Sequence, residues 1–265
     1  MRALAWAPGR IAYALYATIS FVVLGLALLV TTLVLPGVYR RRAAARGVAR
    51  TFLWVAGMPL TVRGMERLAS GQCIVVSNHA SYLDGLVFTA ALPARFSFVI
   101  KREMSAVPLA GLFLRRIGSE FVERFDRNRG AADARRVLRN AANGHSLVFF
   151  PEGTFTRTPG LLKFHTGAFV TAARAGCPVI PAVVRGTRTA LSPSSGLPRP
   201  GRIEVEILPA IDVQPEAGEA ASAALRDRAR QAILVALGEP DLTCSGDSAR
   251  PPHTAPARSA RANRS

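Results

Sequence analysis

One stretch of this chain limits its fold more than any other. Residues 11–39, IAYALYATISFVVLGLALLVTTLVLPGVY, lie between Arg10 and Arg40 and contain no charged side chain. A helix needs about 20 apolar residues to cross a bilayer core, and a helix apolar on all sides has no face to offer water. The segment is therefore expected to be membrane-associated. Arg2 and Arg10 precede it, as basic residues precede a secretory leader. The apolar run is longer than the usual leader core of about 7–15 residues, and no small-x-small cleavage site separates it from the next basic block. That block holds Arg40, Arg41, Arg42, Arg46 and Arg50. Basic residues collect on the cytoplasmic flank of a span, so the rest of the chain is expected on the cytoplasmic side of the inner (plasma) membrane. A re-entrant helix would leave both flanks on that side, and the sequence fits either arrangement.

Residues 43–57 read as a second helix. Val48, Phe52 and Val55 recur at helical spacing beside Trp54, with arginines around the other side. Two readings fit: a basic amphipathic helix at a membrane surface, or a helix packed on a core. Lys and Arg number 34 against 17 acids, a net charge of +17, which favours anionic partners. Aromatic content is 7% and no zinc-finger spacing or nucleic-acid motif is visible, so no nucleic-acid partner is expected. Cys73, Cys177 and Cys244 form neither a metal cluster nor a disulfide framework. They read as two small buried hydrophobes and a tail thiol.

From residue 60 the texture alternates. Strands are predicted at 60–63, 72–77, 96–100, 120–123, 146–150, 179–184 and 203–208. Helices are predicted at 82–92, 106–117, 128–142, 166–175 and 219–237. This implies an α/β fold, with a central, mostly parallel or mixed sheet of about seven strands flanked by helices and preceded by the membrane-associated helical segment. Residues 186–202, rich in Gly, Pro and Ser, read as a loop. The expected organisation is an anchor with its basic helix over 1–58, a catalytic domain over 59–238 and a disordered basic tail over 239–265.

Three clusters stand where predicted strands end, the usual place for ligands in α/β sheets. In Asn78-His79-Ala80-Ser81-Tyr82-Leu83-Asp84, the imidazole suits general-base work near neutral pH. On one continuous helix, residues five apart point about 140° apart, so His79 and Asp84 meet only if His79 is still in the loop and Ser81 caps the helix. Ser81 and Asp84 also fit a plain capping box, and spacing alone leaves both readings open. In Phe150-Pro151-Glu152-Gly153-Thr154, Pro and Gly flank an acid in a tight turn, whose Gly153-Thr154 backbone could present N–H groups to an oxyanion or phosphate. Arg124, ending Gly118-Ser119-Glu120-Phe121-Val122-Glu123-Arg124, and Lys101-Arg102 are cations suited to phosphate, or ordinary surface charge.

Taken in order, these clusters resemble the glycerolipid acyltransferases of the 1-acyl-sn-glycerol-3-phosphate acyltransferase type. Asn78, His79 and Asp84 match N-H-x4-D. Gly118, Phe121, Val122 and Arg124 match G-x-x-F-V-x-R, and Phe150 to Thr154 match F-P-E-G-T. Val179-Ile180-Pro181 and Phe164, Gly167 and Ala168 match two further elements, and the likeness covers residues 60–210. It implies that His79 deprotonates the acceptor hydroxyl, that Asp84 orients His79, and that the hydroxyl attacks the thioester of acyl-CoA or acyl-carrier protein. No metal or other cofactor is implied. It also implies that Arg124, Lys101, Glu152, Gly153 and Thr154 position a phosphorylated lysolipid, Glu152 by bonding the glycerol or bracing a cation. The family's third motif often continues with Arg and Ser. Phe155 and Thr156 follow here, and His165 stands where Lys is common, which leaves the acceptor's head group open. Another lysolipid acceptor (lyso-ornithine lipid, lysophosphatidylglycerol) and a non-catalytic basic membrane-binding protein remain as alternatives.

Overall fold

The computed structural model describes residues 7–123, 127–192, 196–213 and 218–243. Its strands are β1 (Leu60–Arg63), β2 (Ile74–Ser77), β3 (Phe96–Lys101), β4 (Glu120–Val122), β5 (Ser146–Phe149), β6 (Val179–Arg185) and β7 (Ile203–Ile207). They form one sheet in the order β1-β7-β6-β2-β5-β3-β4. β6, β2, β5, β3 and β4 run parallel. β7 returns antiparallel to β6, and β1 is parallel to β7. The expected mixed α/β sheet is what the chain forms.

The helices are α1 (Ala7–Val34), α2 (Val38–Val55), α3 (Asp84–Ala91), α4 (Ala110–Arg116), α5 (Arg127–Ala142), α6 (Gly167–Ala175), α7 (Thr187–Ala190) and α8 (Glu219–Leu237). Strand side chains alternate between faces, and β2 shows the result. Val75 packs in a core with Phe52 and Leu53 of α2 and Phe88 of α3. Ile74 and Val76 pack on the other face with Phe169 of α6 and Ile233 of α8. A strand covered on both faces reads as an unbroken apolar run, as Ile74-Val75-Val76 does.

The predicted helix over 106–117 is shorter in the structure. A 3-10 turn occupies Arg102–Ala106, and α4 starts only at Ala110. Pro108 keeps its predecessor out of helical geometry, and Leu109 takes a positive φ of 59°. Gly111 then passes Ser105 so closely that a Cβ would lie 2.3 Å from its carbonyl oxygen. The predicted 186–202 loop contains the short helix α7.

At 28 residues, α1 is about 42 Å long, and its Pro8–Val34 stretch is long and apolar enough to cross a membrane by length and composition. It packs along α2, and hydrogen bonds tie both its ends to the rest of the chain. Tyr13 Oη donates to Ala56 O at 2.7 Å near its start, and Arg116 Nη2 donates to Leu33 O at 2.8 Å near its end. The outer face of α1 keeps Ile19, Val23, Val30 and Val34 exposed.

Candidate active site

The parallel strands all end at one edge of the sheet, and the site is assembled there. The chain leaves β2 at Asn78, which is buried. Its Nδ2 donates to Val184 O at 3.0 Å, and its Oδ1 accepts the Val184 N–H at 2.8 Å. The side-chain amide acts as one more peptide unit on the β2–β6 ladder, beyond the Ser77–Ala182 pair. This fixes the point at which His79 departs from the sheet.

His79 Nδ1 lies 2.7 Å from Asp84 Oδ2. Asp84 is completely buried, and the imidazole keeps 20% of its surface exposed. The same Oδ2 accepts the N–H groups of Ala80 at 2.6 Å and Ser81 at 2.9 Å. The capping and orienting readings of Asp84 are thus one geometry, because a single oxygen gathers the turn and holds the ring. Ser81 caps this turn as spacing suggested, its Oγ accepting the Leu83 N–H at 3.3 Å while Asp84 Oδ2 accepts its own N–H. Regular α3 begins at Asp84, and the Ser81 hydroxyl also donates to Leu191 O at 2.9 Å.

Two aromatic rings set the plane of the imidazole. Phe150 stacks on it at 4.6 Å and 24°, and Phe155 meets it edge-on at 4.6 Å and 76°. Tyr82, exposed, stands edge-on to Phe155 at 4.8 Å. The departure from the family pattern at Phe155 therefore lies directly against His79.

Glu152 has a different place from the one expected. It is buried, and each carboxylate oxygen already accepts a backbone N–H. Oε1 accepts the backbone N–H of His79 at 2.6 Å, and Oε2 accepts that of Leu162 at 2.8 Å. Burial pushes its carboxyl up to about 7, outweighing the opposing pull of the Leu162 and His79 N–H groups and of the nearby Arg188. Glu152 is a brace between the β2 turn and the loop after β5. Gly153, at φ 73°, closes that turn by donating its N–H to Phe150 O at 3.0 Å, so this N–H is already engaged. Thr154 is exposed.

Lys101 is exposed at the end of β3, on the same sheet edge as His79 with β5 between their strands. Arg102, beside it, is ion-paired with Asp133. Arg124 lies outside the described residues. Cys73 and Cys177 are buried, and burial raises both thiols, Cys177 to about 11. Cys244 also lies outside the described residues.

The start of the predicted tail is structural. Glu239 Oε2 accepts the Gly160 N–H at 2.6 Å, Pro240 O accepts that of Leu161 at 2.9 Å, and Asp241 is ion-paired with Arg230 of α8. Arg188 holds Glu239 at 2.9 Å. Residues 239–243 thus strap down the loop that Glu152 braces from inside. Residues 244–265 lie outside the described residues.

The acyltransferase family model matches residues 59–185, a span containing both the His79 turn and the Glu152 turn. Acl-2 of Caenorhabditis elegans, assigned to the 1-acyl-sn-glycerol-3-phosphate acyltransferases, is 31% identical over 193 residues, covering 71% of this chain and 68% of the relative. The chain belongs to the 1-acyl-sn-glycerol-3-phosphate acyltransferase family. The family's enzyme of that name from Saccharomyces cerevisiae is 32% identical over 161 residues, covering 60% of this chain and 53% of the yeast protein. The chain spans about half or less of the length of the first curated relatives it matches. In fold, it is similar to the crystal structure of the 1-acyl-sn-glycerophosphate acyltransferase PlsC from Thermotoga maritima. The TM-score is 0.70 at 19% identity, over 89% of this chain and 98% of the other.

Family membership and geometry meet at His79. Sequence reasoning missed the Asn78 latch, the Phe150–Phe155 sandwich and the role of Glu152. Asn at the end of a buried apolar run was the one available signal, since a buried amide demands two partners.

Proposed function

We propose that this chain is an acyltransferase that moves a fatty acyl group from acyl-CoA or acyl-carrier protein to the free hydroxyl of a lysophospholipid, with 1-acyl-sn-glycerol-3-phosphate as acceptor and phosphatidic acid as product. The observation that carries the reading is the 2.7 Å contact between His79 Nδ1 and Asp84 Oδ2 at the open edge of the sheet.

With Nδ1 donating to Asp84, the second ring nitrogen carries the lone pair and serves as the base. It takes the proton of the acceptor hydroxyl as the oxygen attacks the thioester carbonyl. Collapse of the tetrahedral intermediate breaks the C–S bond, and the imidazolium returns the proton to the leaving thiolate. No enzyme nucleophile is needed. Lys101, at the end of β3, supplies positive charge for the acceptor phosphate, and Arg124 is assigned the same role from its place in the G-x-x-F-V-x-R motif. The exposed apolar face of α1 lies in the inner membrane, and the catalytic edge works on lipid from the cytoplasmic side.

The purified full chain, given acyl-CoA and lysophosphatidate, is expected to form phosphatidate detectable by mass spectrometry. His79→Ala should lower the rate by roughly 10²–10⁴-fold, the usual worth of a general base. A His79→Ala enzyme working at the wild-type rate would remove the mechanism. Strong preference for a lysolipid without phosphate, with Arg124→Ala neutral, would reassign the acceptor.

A further inference from the structure

A cationic groove lies away from the sheet edge that carries His79. On α2, Ala45, Ala49, Phe52 and Leu53 are buried, with Phe52 and Leu53 in the core beneath the sheet. A neighbouring stripe carries Tyr39, Arg46, Arg50 and Trp54, spaced seven, four and four residues apart and so aligned along one side of the helix. Between this stripe and the turn at Pro93 and Ala94 runs a groove of about 350 Å³. Ala43 and Gly47 leave the space for it, and a Cβ on Gly47 would meet nothing within 4 Å.

The groove is electrostatically unfinished. Arg46 Nε is buried without a hydrogen-bond partner. Arg46 and Arg50 stand one helical turn apart, and burial lowers the Arg46 pKa, with the charge of Arg50 lowering it further against an opposing pull from Tyr39. Arg50 is steadied through its Nε, which donates to Ala90 O at 2.8 Å. No acid on α1 or α2 can offset them, because the first acidic residue of the chain is Glu66. A phosphate accepting from both guanidinium forks would relieve the repulsion between them.

The surroundings select the source of that phosphate. Tyr39 and Trp54, at the two ends of the stripe, are 63% and 79% exposed, and the neighbouring α1 leaves Val30 and Val34 exposed. Aromatic rings flanking arginines beside an apolar surface are the composition of a membrane interface. The groove is also remote from the acceptor. Pro93 and Ala94 precede β3, whereas His79 follows β2, and parallel strands put these at opposite edges of the sheet, roughly 20 Å apart for six residues.

We propose that this groove seats the phosphate of an intact anionic bilayer phospholipid, a site separate from the one that receives the acceptor. The inference rests on the membrane-surface reading of α1 and α2, and it can fail while that reading stands.

The test is thermal unfolding of the full chain in neutral detergent micelles doped with phosphatidylglycerol, phosphatidylcholine or inorganic phosphate at matched ionic strength. Phosphatidylglycerol should raise the wild-type midpoint by several degrees, and the other two should not. Arg46→Ala/Arg50→Ala should need about thirtyfold more phosphatidylglycerol for the same shift, the combined strength of two basic residues at an anionic surface. Gly47→Leu changes no charge, suits a helix better than glycine, and should abolish the shift by filling the groove. Lys101→Ala, at the catalytic edge, should keep it. A shift that survives Gly47→Leu would mean diffuse attraction and overturn the site. An equal shift from phosphatidylcholine would overturn the groove but leave membrane association intact, and an equal shift from inorganic phosphate would overturn the lipid assignment.

Discussion

Glu152→Gln keeps the shape of the side chain and changes only what its two ends can do. In the wild type, both oxygens accept backbone N–H groups, from His79 at 2.6 Å and Leu162 at 2.8 Å. Glutamine has one oxygen, so its NH₂ must face one of those N–H groups, donor against donor. Losing one such bond and stranding a buried donor costs about 2–4 kcal/mol. An opposing gain nearly offsets this. The wild-type carboxyl sits at about 7 in the fold against 4.5 in the free chain, so carrying its charge above pH 7 costs roughly 3 kcal/mol. The sign follows from the raised value. The stabilising contribution is whole below about pH 4.5 and is lost as pH rises through about 7. At pH 8 the variant should therefore unfold close to the wild-type temperature. Its midpoint should lack the wild-type decline between pH 5 and pH 8. Turnover at pH 8 should fall at least tenfold, because the turn bearing His79 has lost its brace. Calorimetric scans across that pH range, paired with initial rates of lysophosphatidate acylation, read both effects. Wild-type turnover in Glu152→Gln, or an unchanged pH slope of its unfolding midpoint, would refute the reasoning.

Two further substitutions probe the frame. Asn78→Asp replaces the Nδ2 donor with an oxygen facing Val184 O, so chemical denaturation should show a loss of about 3 kcal/mol or more, compared with less for Asn78→Ala. Gly64→Ala would put a methyl 2.2 Å from Ile207 O at a residue with φ 73°, and its unfolding midpoint should drop by several degrees.

The sheet was legible because its strands are buried on both faces. Ile74-Val75-Val76 and Leu147-Val148 read as strands buried on both sides, and glycines and prolines mark their ends. The site was legible as residue types and only partly as contacts. Spacing required His79 in a loop and Asp84 in the first turn if the two were to meet, but it could not tell that one carboxylate oxygen takes the ring and two N–H groups together. Glu152 was misjudged because an acid between Pro and Gly looks exposed. Its burial depends on Leu162 and on the strap at 239–243, and the residues of that strap follow the last helix with no apolar pattern to announce them. The Phe150–His79–Phe155 stack depends on two strand ends meeting across the sheet, which sequence spacing does not encode.

The central claim is that His79 and Asp84 act as one catalytic unit, and a double-mutant cycle measures this most directly. With purified His79→Ala, Asp84→Asn and the double variant, single-turnover acylation of lysophosphatidate should fall steeply in each single variant. The double variant should be no slower than His79→Ala alone, since Asp84 works only through the ring it holds. If the two losses instead multiply, or if Asp84→Asn keeps wild-type turnover while remaining folded, the coupling at 2.7 Å is not what drives the reaction.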